Sequence, residues 1–410
     1  MAEGSAGKFN IMKKFVFIFV IGISGIQFLN AQNSWTQKAN FGGAARRSSV
    51  GFCIGSYGYM GTGYDSNFYD DLWKYDPISD TWTQVASFPG TARFSAVAFV
   101  ITTNAYVGTG YDVNNNFNTG DFWKYDATGN SWSQSASLPA GQERRYASAF
   151  SIQGMGYVGT GTGAAGYLND LWQYDGGNNS WTQKSNFPGA PRYECVAFTI
   201  GEYGYIGCGA FAGTIYNDFY EYQPQNDLWI QRANFPGAGG DAAAGFALEG
   251  RGFIGTGSTQ GTYPVDFYEW NQHDDVWTAK ANFPSAGRAF GTGFSILGKG
   301  YIGLGEGAGY FNDWWEYTPD SLFTSVEPAQ AVDEAPKVSV TNQVLSVFVR
   351  GTVKENLQIR IYDLAGRMAG SFYLNDEMTS VPLVFPTGIY SWLISVNSKS
   401  FAGKIFVSGE

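Results

Sequence analysis

The sequence predicts an all-β protein: six four-stranded repeats arranged radially as a β-propeller, followed by a small C-terminal β-sandwich. Three observations lead there. Tryptophans in a W-[TSI]-[QA] setting recur at Trp35, Trp82, Trp132, Trp181, Trp229 and Trp277, spaced by 47, 50, 49, 48 and 48 residues. Spaced glycines recur in step with them, as Gly61-Thr62-Gly63, Gly108-Thr109-Gly110, Gly159-Thr160-Gly161, Gly207-Cys208-Gly209, Gly255-Thr256-Gly257 and Gly303-Leu304-Gly305. Six copies of one loop are a repeat and not one phosphate site. Composition agrees, since 17% aromatic residues and 55 glycines with only 15% charged residues suit strands and tight turns, and no helical period survives in the repeat region.

The elements follow in order. Lys13 and Lys14 precede the apolar run "FVFIFVIGISGIQFL" (15–29) and then "NAQ", with Ala31 at a cleavage position. Residues 1–31 therefore read as a secretory signal peptide, and the location expected is secreted or outer cell surface. The run is shorter than the roughly 18 apolar residues of a membrane span, so no transmembrane span is expected in the mature chain. Met12 stands where a natural start would, which leaves residues 1–11 as extra upstream residues.

In the first repeat "SVGFCI" turns into "GYMGTG", a loop leads to "DLWKYD", and a polar turn leads to "TWTQVA". A single four-stranded sheet cannot bury both faces, so such units stack radially. Only the first three strands occur six times after a lone "SWTQKAN", so the ring over residues 32–323 closes if the strand of Trp35 completes the last unit. "SLFTSV", with Phe323 at the tryptophan position, is the competing closure. "TSVEPAQAVDEAP" (324–336) is a linker, and the alternating strands "LQIRIYD", "GIYSWLISV" and "GKIFVS" of residues 337–410 suggest the sandwich.

A tyrosine and an apolar residue before the paired glycines, the aspartate-led "DLWKYD" and the tryptophan that follows it resemble the kelch family over roughly residues 33–323. The chain departs from the usual adjacent glycines by inserting a residue, and its last three repeats read "DFYEYQ", "DFYEWN" and "DWWEYT". In the C-terminal region the order "IRIYDLAGRM", "TGIYSWLISV", "GKIFVSG" resembles the type IX secretion system sorting domain of Bacteroidota. That resemblance implies export by the type IX machinery, with removal or surface attachment of the domain. An ordinary immunoglobulin-like module is the alternative reading.

Together these readings give a secreted or surface-displayed binding module for a glycan or protein ligand. The alternative is a carbohydrate-active enzyme resembling the kelch-type sialic acid epimerases, working through carboxylate and arginine groups, for which Glu143 and Glu194 are the candidates. The kelch family also includes galactose oxidase, whose copper needs two histidines. This chain has one, His273, so a copper radical oxidase is excluded. The net charge of −10 argues against a nucleic-acid partner, because phosphate binding needs clustered Lys and Arg.

Several side chains repeat or cluster. Arg46, Arg93, Arg144, Arg192 and Arg288 each precede an innermost strand, with Gly240 the exception. They read either as a ring of ligand-binding guanidinium groups or as partners of neighbouring loop carboxylates and carbonyls. Asp71, Asp121, Asp170, Asp218, Asp266 and Asp313 open each third strand, where a short acceptor is expected to bond loop N–H groups. The loop "YDVNNNFNTGD" places oxygens at Asp112, Asn114, Asn116 and Asp121 at spacings that suit calcium, or an Asx-rich turn; no other cofactor is expected. Cys195 falls opposite Cys208 across a two-residue hairpin, as a disulfide or two buried thiols, and Cys53 is left as core packing. The long second-to-third-strand loops carry the aromatic residues, so they form the expected ligand face, with Tyr64, Tyr111 and Tyr310 as the rings expected to stack on a sugar.

Overall fold

The computed structural model describes residues 33–320 and, beyond them, residues 337–341, 344–348, 358–363, 368–374, 378–383, 388–396 and 399–407. The leader, the linker and "SLFTSV" lie outside the described residues.

Residues 33–320 form six four-stranded antiparallel sheets. The first is Val50–Ile54, Tyr57–Gly61, Leu72–Asp76 and Thr81–Val85, paired in that order. Its innermost strand alternates between buried and half-buried residues, as a strand with a neighbour on each side does. The fourth strand, "TWTQV", is largely solvent-facing and polar, which suits an edge. The sixth sheet is completed from the other end of the chain: Ser34–Lys38 pairs with Trp314–Thr318 in the register Ser34 to Thr318 and Lys38 to Trp314. The innermost strands neighbour one another in a cycle, Val50–Ile54 touching both Val97–Ile101 and Thr292–Ile296.

The core is divided in the same way. There is no single centre; each pair of adjacent sheets encloses its own apolar cluster. Phe52, Tyr59 and Leu72 meet Val107 and Tyr125 between the first and second sheets. Met60 and Tyr75 meet Phe294, Tyr301 and Trp314 between the first and sixth, so the last cluster joins the two ends of the array. Close approach depends on glycine. A Cβ on Gly156 would stand 2.1 Å from the Phe99 ring of the preceding sheet, and one on Gly61 would stand 2.2 Å from Asp71 O.

Polar staples tie neighbouring sheets together. The indole N–H of each repeating tryptophan donates to a carbonyl of the preceding connector, as from Trp82 to Ala39 O at 3.1 Å and from Trp132 to Ala86 O at 2.9 Å. Trp35 does the same for the last sheet, donating to Ala281 O at 2.9 Å. Beside each indole an Asn or Asp with positive φ accepts a backbone N–H of that connector: Asp80 from Ala39, Asn130 from Ala86, and Asn33 from Ala281. The segment around Trp35 therefore supplies every group that the fourth strand supplies elsewhere.

A further ring closes at the centre. Ser48, Ser95, Tyr146, Glu194, Ala242 and Phe290 all have φ between 51° and 60°. Each donates its backbone N–H to the carbonyl of the one before it, and Ser48 donates to Phe290, at 2.9–3.3 Å throughout. Six left-handed residues thus form a cyclic hydrogen-bonded collar, which holds six non-glycine residues in a conformation otherwise costly for them.

The described C-terminal strands form a three-stranded sheet (Lys337–Thr341, Val344–Phe348, Met378–Pro382) and a four-stranded sheet (Met368–Tyr373, Gln358–Tyr362, Gly388–Val396, Lys399–Val407). Leu345 and Val347 of the first share one core with Ile359, Ile361, Trp392, Ile394 and Ile405 of the second.

Candidate functional site

The repeating arginines are structural. Arg46, Arg93, Arg144, Arg192 and Arg288 are at most 1% exposed, and each makes a two-pronged ion pair with the aspartate that opens its third strand. The remaining donors reach backbone carbonyls and neighbouring side chains: Arg144 Nη1 donates to Thr160 O at 3.2 Å, Nε to Gln142 O at 2.9 Å and Nη2 to Gln142 Oε1 at 3.1 Å. The glycine loop presents the Thr160 carbonyl because its middle residue is left-handed, with φ of 57° at Thr160. Rings cover the guanidinium groups of Arg46, Arg93, Arg192 and Arg288, Tyr69 lying 3.6 Å from that of Arg46. The assignment of these five arginines to ligand binding is thereby corrected: their donors are consumed inside the fold. The aspartates are corrected likewise. Only Asp266, in the sheet where Gly240 replaces arginine, bonds a loop N–H, that of Ala238 at 2.7 Å.

The residue after each arginine, or after Gly240 in the fifth sheet, directly precedes a collar residue. Arg47, Phe94, Arg145, Tyr193, Asp241 and Ala289 each pair with the residue following a glycine loop: Tyr64, Tyr111, Thr162, Ala210, Ser258 and Glu306. Arg47 is ion-paired to Glu306 at 2.5 Å. Glu194 of the collar lies beside Asp241. Burial pushes the Glu194 carboxyl well above its usual range, the hydrogen bond and charge of Asp241 push the same way, and Arg47 opposes them. Burial raises Asp241 as well. Asp241 Oδ1 has no donor among the described residues, so the two carboxyls are satisfied together when they share a proton.

A groove of about 980 Å³ runs between the 111–121 loop and the connectors at 89–93 and 143–145. Phe117, half exposed, and the rings of Tyr111 and Trp123 line it with Asn115, Asn116, Asn118, Glu143 and Arg145. Asn118 Nδ2 donates to Thr162 O at 2.9 Å, which leaves Asn118 Oδ1 buried without a donor. Tyr111 donates its hydroxyl to Asn116 Oδ1 and lies under the Arg145 guanidinium at 4.7 Å. The other two expected stacking rings behave differently. Tyr64 packs on Phe68 at 4.9 Å and on Tyr310 at 6.1 Å, so these two rings bind loops to one another.

The loop that offers the calcium candidates forms the alternative, an Asx-rich turn. The Asp112 carboxylate accepts the N–H groups of Asn114 and Asn115 and the Asn115 side-chain amide, an Asx-type turn. Asp121 holds Arg93, and Asn116 holds Tyr111. Among the described residues no group of three or more His, Cys, Asp or Glu could hold a metal. The cysteines resolve as thiols: Cys53, Cys195 and Cys208 are all free. The hairpin register is the expected one, Ile200 facing Tyr203, but Cys208 has φ of 61°. That left-handed turn takes its side chain out of the cross-strand alternation a disulfide needs. Burial pushes the Cys195 thiol up to about 12.

Known proteins show the same repeat. Residues 86–238 match the KLHDC2/KLHL20/DRC7 Kelch-repeats domain, and residues 57–89 match the Kelch motif. The solved structure titled "Structure of YjhT" superposes with a TM-score of 0.60 at 18% identity, covering 68% of this chain and 95% of that one. The chain carries kelch repeats, folded as a β-propeller. No curated protein matches the sequence.

Within the kelch fold the two carboxylate candidates separate. Glu143 lies on the groove wall, with Oε1 accepting Gly141 N–H at 3.2 Å, while Glu194 belongs to the collar. The partner of Glu194 is Asp241, which the sequence did not single out. The signal was there: Asp241 follows Gly240, the one place where the kelch arginine is missing.

Proposed function

We propose that this chain is an exported binding module, a six-bladed kelch propeller that holds a glycan in the groove beside Phe117. Sugars need an apolar face for their C–H groups and polar atoms for their hydroxyls. The observation that carries the reading is Asn118 Oδ1, a buried acceptor that lacks a donor and stands on the wall of a groove lined by Tyr111, Phe117 and Trp123. A sugar hydroxyl supplies the missing donor. A protein ligand is the competing occupant of the same face.

The rest of the reading comes from sequence. The leader over residues 1–31 directs secretion, and the C-terminal strands serve as a β-sandwich address for a type IX-like exporter, leaving the propeller outside the cell. Screening the full chain on a glycan array, with Phe117→Ala beside it, tests the central claim. Binding of a glycan that Phe117→Ala weakens about tenfold is expected. Equal binding by both proteins, or no glycan bound at all, removes the groove or the ligand class respectively.

The adjacent carboxyls of Glu194 and Asp241 favour the second reading, a carbohydrate-active enzyme, because a proton-sharing pair can act as general acid and base. NMR observation of anomer or epimer interconversion in a bound sugar separates the two.

A further inference from the structure

We propose that Arg145 is the anchor for a carboxylate in the groove, and that the glycan held there is acidic, carrying hexuronate residues. This rests on the glycan reading above and names its substrate class.

Nine arginines stand in residues 33–320. Five are clamped to aspartates, and Arg47, Arg232 and Arg251 pair with Glu306, Glu221, and Glu249 and Glu269. Arg145 alone has no ion pair with a described residue, and its Nε, like those of Arg47 and Arg251, is buried with no acceptor. In a protein of net charge −10, a guanidinium left unpaired on a groove wall is conspicuous. Glu143, two residues away on the same wall, is turned to the Gly141 N–H instead.

Arg145 is nevertheless held in place. Its backbone exchanges hydrogen bonds with Thr162 at 3.1 and 2.8 Å, and its guanidinium lies 4.7 Å from the Tyr111 ring and 5.8 Å from that of Tyr146. Two rings thus orient a planar fork whose donors remain open. Such a group recognises a flat two-oxygen anion and loses little side-chain freedom on binding. A buried donor without an acceptor is costly, and a ligand carboxylate removes that cost. Asp112, Asp121 and Glu143 line the same groove, so a singly charged carboxylate is tolerated better than a doubly charged phosphate. Phe117 and Asn118 then take the ring face and a hydroxyl of the same sugar.

The test titrates the full chain, Arg145→Gln and Arg145→Lys with polygalacturonate, with a neutral galactan and with a sulfated galactan, alongside their melting temperatures. The expected result is that wild type prefers polygalacturonate, that Arg145→Gln loses at least about tenfold in affinity for it without change on the neutral polymer, and that Arg145→Lys recovers part of the loss. Equal losses on both polymers, an unchanged affinity, or a fallen melting temperature in Arg145→Gln overturns the anchor role while the glycan reading stands. Preference for the sulfated polymer overturns the carboxylate. Absence of binding to all three overturns this inference, while the glycan array decides the glycan reading.

Discussion

A kelch arginine of this chain is worth most where it is least available to a ligand. Its charge is buried, and burial alone would raise the partner carboxyl, yet the hydrogen bonds and charge of Arg93 hold Asp121 below its usual range. Removing one partner of such a pair costs about 3–5 kcal/mol, because the other charge stays buried. The paired carboxyls have the opposite balance. Glu194 and Asp241 both titrate higher in the folded chain than in the unfolded one, so the folded state keeps protons that the unfolded chain has released. Stability is then intact below roughly pH 4 and falls as pH rises through the folded values. The groups facing the pair are Arg47, Glu306, Tyr146 and Tyr193. Glu194→Gln keeps a hydrogen bond to Asp241 without titrating. Its melting temperature is expected to fall less than that of wild type between about pH 4.5 and about pH 7.5. An identical slope in the two proteins would show that the carboxyls do not share a proton.

At the scale of elements, the strand Ser34–Lys38 repeats the work of every other fourth strand although it comes first in the chain. Trp35 packs against Phe267, Phe283 and Tyr317 at 4.9–5.2 Å, as Trp132 packs against Phe88 and Tyr125 at 5.4 and 4.9 Å. Trp35→Ala and Trp132→Ala are therefore expected to cost similar amounts, about 3 kcal/mol each, in urea unfolding. A loss below about 1 kcal/mol for Trp35→Ala alone would mean that the sixth sheet holds without its first-strand closure. The collar shows why closure matters. Its six hydrogen bonds form a cycle, so opening one interface breaks a bond that five others depend on for geometry.

For the whole molecule, the apolar cores are paired between adjacent sheets, and the C-terminal strands have a core of their own. Residues 32–323 alone are accordingly expected to fold and to bind the same ligand as the full chain, with the C-terminal region acting as an address. Near-ultraviolet circular dichroism and the affinity of the shortened protein check this. A molten spectrum or lost affinity would place the C-terminal region inside the functional unit.

The sequence by itself determined the repeat and the strand order, because each follows from a local period: Trp35 to Trp277 at near-constant spacing and glycine at every crowded crossing. It offered two closing strands, and only the pairing of Ser34–Lys38 with Trp314–Thr318 chose between them. It also named Arg144 and Asp170 as recurring positions, but their meeting spans 26 residues and a reversal of direction, so only the fold could show that each consumes the other. The same is true of Asp121, which sat among calcium candidates in the chain and beside Arg93 in the molecule. Glu194 was visible alone; Asp241 joined it only through the ring. Arg145 differs from Arg144 by one position. One is buried against an aspartate and the other is left at the groove between two tyrosines, and that difference lies in where neighbouring sheets place their charges.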